Sequence, residues 1–213
     1  MKIGVCIPSR GLVHTRTIES LVKNFDDVDV GWKLFFTHDL PIPDAHNAVM
    51  QKGMDWGADY IWMIEEDIIV PSGSLKKMLE TGEPVYFINY PVGDRQSSCM
   101  MRYKDRVVWT GTGCLLMKRE VLEKIPQPWM ENKTVAFSGS NKFNYVINKL
   151  EVEYGGQDVH FGHKIRSAGF EIKVLDGVVA GHIRIEKMGG KHSNSDYHKI
   201  HIVTDILQWR DYK

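Results

Sequence analysis

At 213 residues, 43% of them hydrophobic and 25% charged, the chain can fold around a sizeable core as one α/β domain, and a disordered or fibrous chain is excluded. Its 27 basic and 27 acidic residues give a formal net charge of zero, so no overall charge draws it to nucleic acid or to an anionic membrane. No run approaches the ~20 apolar residues of a membrane helix, and Met1 to Pro8 fits an opening strand better than a signal peptide, so a soluble, cytoplasmic protein is expected. Cys6, Cys99 and Cys114 are odd in number, lie in apolar stretches and lack zinc-site spacing, which reads as reduced core thiols.

In chain order, Lys2 to Pro8 is the first strand and Ser9-Arg10-Gly11 its exit loop. Thr15 to Lys23 is helical, with Ile18, Leu21 and Val22 on one face. Trp32 to Thr37 is a second strand, leaving through His38-Asp39 and the turn Pro41-Ile42-Pro43. Asp44 then caps a helix that runs to about Trp56 and stops at Gly57. Tyr60 to Ile64 is the third strand, so the order βαβαβ predicts right-handed crossovers and a parallel sheet. Ser74 to Glu80 is a short helix, Val85 to Asn89 a strand, and Cys99 to Tyr103 with Val107 to Trp109 a hairpin. Gly111-Thr112-Gly113 leads into Cys114 to Met117, and Arg119 to Lys124 forms a helical turn. Residues from about Gln127 to Tyr154 read as a long irregular loop of functional rather than packing character. Gly156-Gln157-Asp158 opens a helix to about Ala168, followed by strands at Glu171 to Leu175 and Val178 to His182. The tail from Arg184 reads as a lid hinged at Gly189-Gly190, with a short helix near Ile200 to Trp209.

The third strand ends in Glu65-Glu66-Asp67. Ligands of open α/β sheets bind beyond the carboxyl ends of the strands. Three adjacent carboxylates there call for a cation or a donor to offset their repulsion, and oxygen ligands suit Mg²⁺ or Mn²⁺. Ser9, Arg10 and Asp39 leave the first two strands at the same edge and are candidates for nucleotide contact, or plain loop residues. Trp109 and Gly111-Thr112-Gly113 can floor a ligand site, since glycine permits close approach and an aromatic face suits CH groups; Trp109 fits the core equally well. No phosphate-cradling P-loop or dinucleotide fingerprint occurs.

Four segments in order resemble the GT-A glycosyltransferases, particularly small soluble members of the family 2 type: Val5 to Arg10, Ala45-His46-Asn47-Ala48 with Gly57-Ala58-Asp59-Tyr60, Glu65-Glu66-Asp67, and Gly155-Gly156-Gln157-Asp158 with Ala168-Gly169-Phe170. The likeness covers Lys2 to His182. Three positions depart from the pattern: His46 stands for the usual Arg, Glu65 for the first Asp of Asp-x-Asp, and Gln157 for the Glu before the base.

The resemblance implies a Rossmann-like GT-A fold, with a mixed, mainly parallel sheet flanked by helices. It places a catalytic domain over 1–183 and a tail, 184–213, packing on it. It implies transfer from a nucleotide-diphosphate sugar, a UDP-sugar favoured, to an acceptor hydroxyl, with inversion and with Mn²⁺ or Mg²⁺. In that reading Asp67 and His182 hold the metal with Glu65 as a further or water-mediated ligand, and Asp158 is the general base. Gln157 touches the acceptor, and Pro8, Ser9, Arg10, Asp39, His46, Asn47, Glu65, Glu66, Trp109 and Gly111 to Gly113 line the donor. The acceptor stays open among glycans, proteins and hydroxymethylpyrimidines of DNA, such enzymes being found in bacteria and their viruses. A nucleotidyltransferase and a non-catalytic nucleotide-sugar or glycan-binding module are the competing readings; Pro8-Ser9-Arg10-Gly11 is sparse for the first of these.

Overall fold

The structure is a computed structural model and describes residues 1–92, 97–103, 105–136, 153–188 and 197–203. Its first half comprises β1 (Lys2–Pro8), α1 (Thr15–Phe25), β2 (Gly31–Thr37), α2 (Asp44–Asp55), β3 (Tyr60–Ile64), β4 (Ile68–Ile69), α3 (Ser74–Thr81), β5 (Val85–Asn89) and β6 (Pro91–Val92). The second half comprises β7 (Ser97–Ser98), β8 (Met100–Tyr103), β9 (Arg106–Thr110), β10 (Cys114–Lys118), α4 (Arg119–Lys124), β11 (Thr134–Ala136), β12 (Glu153–Gly155), α5 (Gln157–Ser167), β13 (Lys173–Val179), β14 (Gly181–Met188) and β15 (Tyr197–Val203).

Strand β1 buries every residue after Lys2, as a strand covered on both faces does. It pairs in parallel with β2 and β3, and the six-stranded sheet has the order β13-β5-β10-β3-β1-β2. Only β10 among these six runs against its neighbours, wedged between β3 and β5. The sheet is mixed and mainly parallel, as expected. Successive side chains of a strand leave on opposite faces. Cys6 turns to α2, its thiol 3.3 Å from the Val49 carbonyl oxygen. Val5 turns the other way, in register with Trp62, whose ring meets Phe25 of α1 edge-on. Helices α1 and α2 therefore cover opposite faces, with Ile3, Val5, Ile7, Trp62 and Phe87 in the core between them.

Four local expectations are corrected. Helix α1 buries Leu21 but leaves Val22 exposed, because its inner face also carries Thr17, Ser20 and Asn24. Those polar groups fasten the segment after β3: the Thr17 hydroxyl donates to the Glu66 carbonyl oxygen, the Ser20 hydroxyl accepts from the Val70 amide, and the Asn24 amide oxygen accepts from the Leu75 amide. Asp44 is the first residue of α2 and not its cap. Pro43 takes the cap position without a side-chain bond, and the Asp44 carboxylate sits in the first turn, where the helix dipole favours it. The start of the long irregular stretch packs: Trp129 and Met130 are buried, and the indole Nε1 of Trp129 donates to the Leu122 carbonyl at 2.9 Å. Beyond it β11 and β12 pair antiparallel, while 137–152 lies outside the described residues.

The tail is the fourth correction. Where a helix near Ile200 was expected, Tyr197–Val203 is a strand, paired antiparallel with β14 throughout its length. The supposed hinge at Gly189-Gly190 and residues 204–213 lie outside the described residues. Strand β14 also pairs with the short β4, setting His182 opposite Ile68 and so beside the acidic turn. Among the described residues no helix is long and apolar enough to cross a membrane.

Candidate active site

Three backbone bonds hold the turn after β3. The Glu65 amide donates to the Gly113 carbonyl at 3.1 Å, the Glu66 carbonyl accepts from the His14 amide at 3.0 Å, and the Asp67 carbonyl accepts from the Ile183 amide at 2.9 Å. The three carboxylates are consequently sent in three directions. Glu66 goes to Arg10, accepting from its Nε at 2.7 Å and from its backbone amide at 3.1 Å. This bidentate pairing fastens the loop after β1 to the turn, and Glu66 also lines the cleft described below.

Glu65 turns inward. Thr112 donates to its Oε1 at 3.4 Å, and Oγ1 of the same threonine lies 3.2 Å from Nε2 of the buried His46. Burial, with the Asp67 and Asp158 charges added, pushes the Glu65 carboxyl up to about 7. Burial pushes His46 down to about 4, and among the described residues its Nδ1 has no hydrogen-bond partner. One buried row thus joins an imidazole with no proton to spare at neutral pH to a carboxyl that holds one readily.

Asp67 meets His182: Oδ2 lies 3.2 Å from Nε2, and Nδ1 lies 2.7 Å from the Pro91 carbonyl oxygen. A carbonyl only accepts, so Nδ1 carries the proton and neutral His182 aims the bare Nε2 lone pair at a carboxylate. That contact is favourable only if the ring is protonated or a cation stands between the two. Burial opposes protonation, but the hydrogen bonds to Asp67 and Pro91 outweigh it and raise the His182 pKa. A backbone carbonyl that fixes the far nitrogen is the usual support of a metal-binding imidazole. Asp67 and His182 therefore suit a divalent cation with open positions. Glu65 does not join them, since its carboxyl is turned to Thr112; among the described residues no group of three or more His, Cys, Asp or Glu side chains is placed to hold an ion.

Asp158 comes from the first turn of α5, half-buried, and its charge is felt at both Glu65 and Cys99. Burial raises its pKa, against the stabilising bond from its own backbone amide. One turn on, Gly162 lets the helix approach β9, where an added Cβ would stand 3.0 Å from Cα and Cβ of Trp109. Trp109 is thus sandwiched against the helix that carries Asp158, its Nε1 buried without a hydrogen-bond partner among the described residues. Gln157 begins the same helix, half-buried.

A cleft of about 250 Å³ opens between the loops after β1 and β2. Pro8, Ser9 and Arg10 line one side, Leu40 and Ile42 the other, and Ala45, His46 and Glu65 to Asp67 the base. Six donor-site candidates do not line it: Trp109 and Gly111 to Gly113, which lie beyond Glu65 on β9 and the loop that follows it, and Asp39 and Asn47. Asp39 is exposed, held at φ 55 in the left-handed region, and does not line the cleft. Asn47 uses its whole amide on the Met130 backbone, donating to the carbonyl at 2.8 Å and accepting from the amide at 2.9 Å. Tyr90 was missed: it ends at the carboxyl edge of β5, fully buried, its hydroxyl accepting from the Gly113 amide at 3.0 Å. The same edge rule that singled out Glu65 to Asp67 points to it.

No protein-family model matches the chain, and no curated protein is similar to it in sequence. Solved structures are similar in fold. A197 from STIV shares 19% identity over 100% of both chains, with a TM-score of 0.60. The catalytic domain of Drosophila β1,4-galactosyltransferase 7, in complex with xylobiose, shares 18% over 84% of this chain and 67% of that one, with a TM-score of 0.53. A candidate glucose-1-phosphate thymidylyltransferase from Bacillus anthracis, in complex with a sucrose, shares 12% over 85% and 88%, with a TM-score of 0.50. At these identities the likeness is one of fold.

Proposed function

We propose that this chain, which has the GT-A-like fold of the nucleotide-sugar transferases, moves a sugar from a nucleotide-diphosphate sugar to an acceptor hydroxyl. The observation that carries the reading is the His182–Asp67 pair: an imidazole whose far nitrogen is fixed by the Pro91 carbonyl and whose Nε2 faces a carboxylate, at the sheet edge where such ligands bind. Asp67 and His182 would hold Mn²⁺ or Mg²⁺. The ion supplies positive charge for the leaving diphosphate, which needs charge neutralisation more than covalent help.

The cleft receives the nucleoside. Leu40 and Ile42, 41% and 51% exposed, offer apolar surface to a base, and His46 and Glu65 lie at the closed end. Asp158 takes the acceptor proton as the hydroxyl oxygen attacks the anomeric carbon, which leads to inversion. Partial burial suits that role, because a carboxylate with a raised pKa is a stronger base than an exposed one. Trp109, against the same helix, provides the apolar wall beside the reacting sugar.

The test is a panel of nucleotide sugars incubated with the protein with and without Mn²⁺, with release of nucleoside diphosphate as the readout. Metal-dependent release from one donor, abolished in Asp67→Ala, supports the reading. A thermal shift with one donor but no release would move the weight to a nucleotide-sugar-binding module, and neither release nor shift with any donor would overturn the reading.

A further inference from the structure

The residues that frame the site come from separate segments, and one side chain touches two of them, the loop before β10 and strand β14. Tyr90 follows β5. Its hydroxyl accepts from the Gly113 amide, and the Gly113 carbonyl in turn accepts from the Glu65 amide at 3.1 Å. Its ring meets the His182 ring edge-on, centroids 5.8 Å apart and planes at 88°. The next residue, Pro91, supplies the carbonyl that fixes the His182 tautomer.

The segment is braced from behind. The Asn89 amide oxygen accepts from both the Tyr90 and Cys99 amides, and the Asn89 carbonyl accepts from the Ala180 amide two residues before His182. Cys99 closes the other side, its carbonyl accepting from the Gly111 amide at 2.8 Å. Gly111 and Gly113 are shaped around the tyrosine hydroxyl: a Cβ on either would stand 2.4 or 2.6 Å from it. Thr112, between them, is thereby presented to Glu65 and His46.

We infer that Tyr90 is a positioning residue of the transfer site: its hydroxyl sets the Gly111–Gly113 loop against Glu65, while its ring and the adjoining Pro91 carbonyl set His182 against Asp67. The inference rests on the transfer reading given above. It makes a distinction that ordinary core packing does not. Tyr90→Phe removes the hydroxyl and frees the loop, but it keeps the ring and the Pro91 carbonyl, so the His182 arm stays in place. Loss should fall on donor binding, because the freed loop carries Thr112, the partner of the cleft residues Glu65 and His46.

The test has a structural and a kinetic arm. In the unaltered protein the Gly113 amide should exchange with solvent slowly although it lies in a loop; fast exchange there overturns the inference without any variant. In Y90F the Gly113 amide should exchange at least about tenfold faster while the Leu115 and Leu116 amides and the His182 ¹⁵N shifts stay as they were. Per folded molecule, donor KM for transfer should rise about tenfold at little-changed kcat. Unchanged donor KM in a folded Y90F, or a loss that only follows a fall in the folded fraction, would make Tyr90 a core residue only and overturn its role. Unaltered protein that turns over no nucleotide sugar sinks the transfer reading first, a failure the control reveals before the variant is compared.

Discussion

Replacing Glu65 by Gln should give the protein a stability that climbs with pH, and replacing His46 by Gln should give one that falls. In the folded protein burial holds His46 neutral down to about 4, against an ordinary 6.5. Burial and the Asp67 and Asp158 charges keep Glu65 protonated up to about 7, against an ordinary 4.5. Each gap is about two and a half pH units wide, which at ~1.4 kcal/mol per pH unit amounts to about 3.5 kcal/mol. The signs oppose. Between pH 4.5 and 6.5 the unfolded chain carries the proton on His46 and the folded one carries it on Glu65, so their joint contribution to the pH slope is flat. In E65Q only the histidine remains: the unfolded state binds the extra proton, and stability is lost as pH falls from 6.5 towards 4. In H46Q only the carboxyl remains: the folded state binds the extra proton, and stability is lost as pH rises from 4.5 to 7. Urea unfolding at half-unit pH steps, with a chelator present, reads the difference between each variant and the parent. Parallel profiles for all three proteins would refute the buried Glu65–Thr112–His46 row.

Asp158→Asn should keep the fold and lower kcat for transfer by about 10²–10⁴-fold, as loss of a general base does. The acid limb of the parent's rate profile should lie above the ordinary carboxylate range, because burial raises the Asp158 pKa, and it should vanish in the variant. Asn47→Ala should lower stability by about 1–3 kcal/mol, read as a shift in the urea midpoint at unchanged slope, since the Met130 amide and carbonyl both lose their partner. Donor affinity per folded molecule should stay as it was, which separates a clamp on the segment after α4 from a donor contact. Arg10→Ala should release Glu66 and loosen the loop after β1; its effect on stability should be under about 1 kcal/mol, because the guanidinium is largely exposed.

The central sheet was legible because β1, β3, β5 and β10 are short apolar runs bounded by glycine, proline or charge, the pattern of strands covered on both faces. The edge at which the site lies follows from the same pattern. What the three carboxylates do was not legible, since adjacent residues in a turn point wherever their partners hold them. Here those partners are Arg10, Thr112 and His182, brought in by β1, the loop before β10 and β14. Strand β14 was placed only as far as His182, because its pairing with β4 depends on a two-residue strand too short to show a period. Asn47 occupies a helical position that suits a ligand contact as well as a clamp, and only the fold of the segment after α4 decides between them. His46 and Asp158 reach the site through the register of α2 and α5, which the helix starts at Asp44 and Gln157 set.

Calorimetric titration of UDP and GDP in Mn²⁺ and in chelator, with the parent protein, Asp67→Ala and His182→Ala, tests most directly whether the turn after β3 is a metal-assisted nucleotide site. The account predicts saturable binding of one nucleotide that weakens at least about tenfold in chelator, ~1.4 kcal/mol or more, and equally in either variant without chelator. Binding of the same strength with and without metal, unaffected by loss of Asp67 or His182, would contradict it.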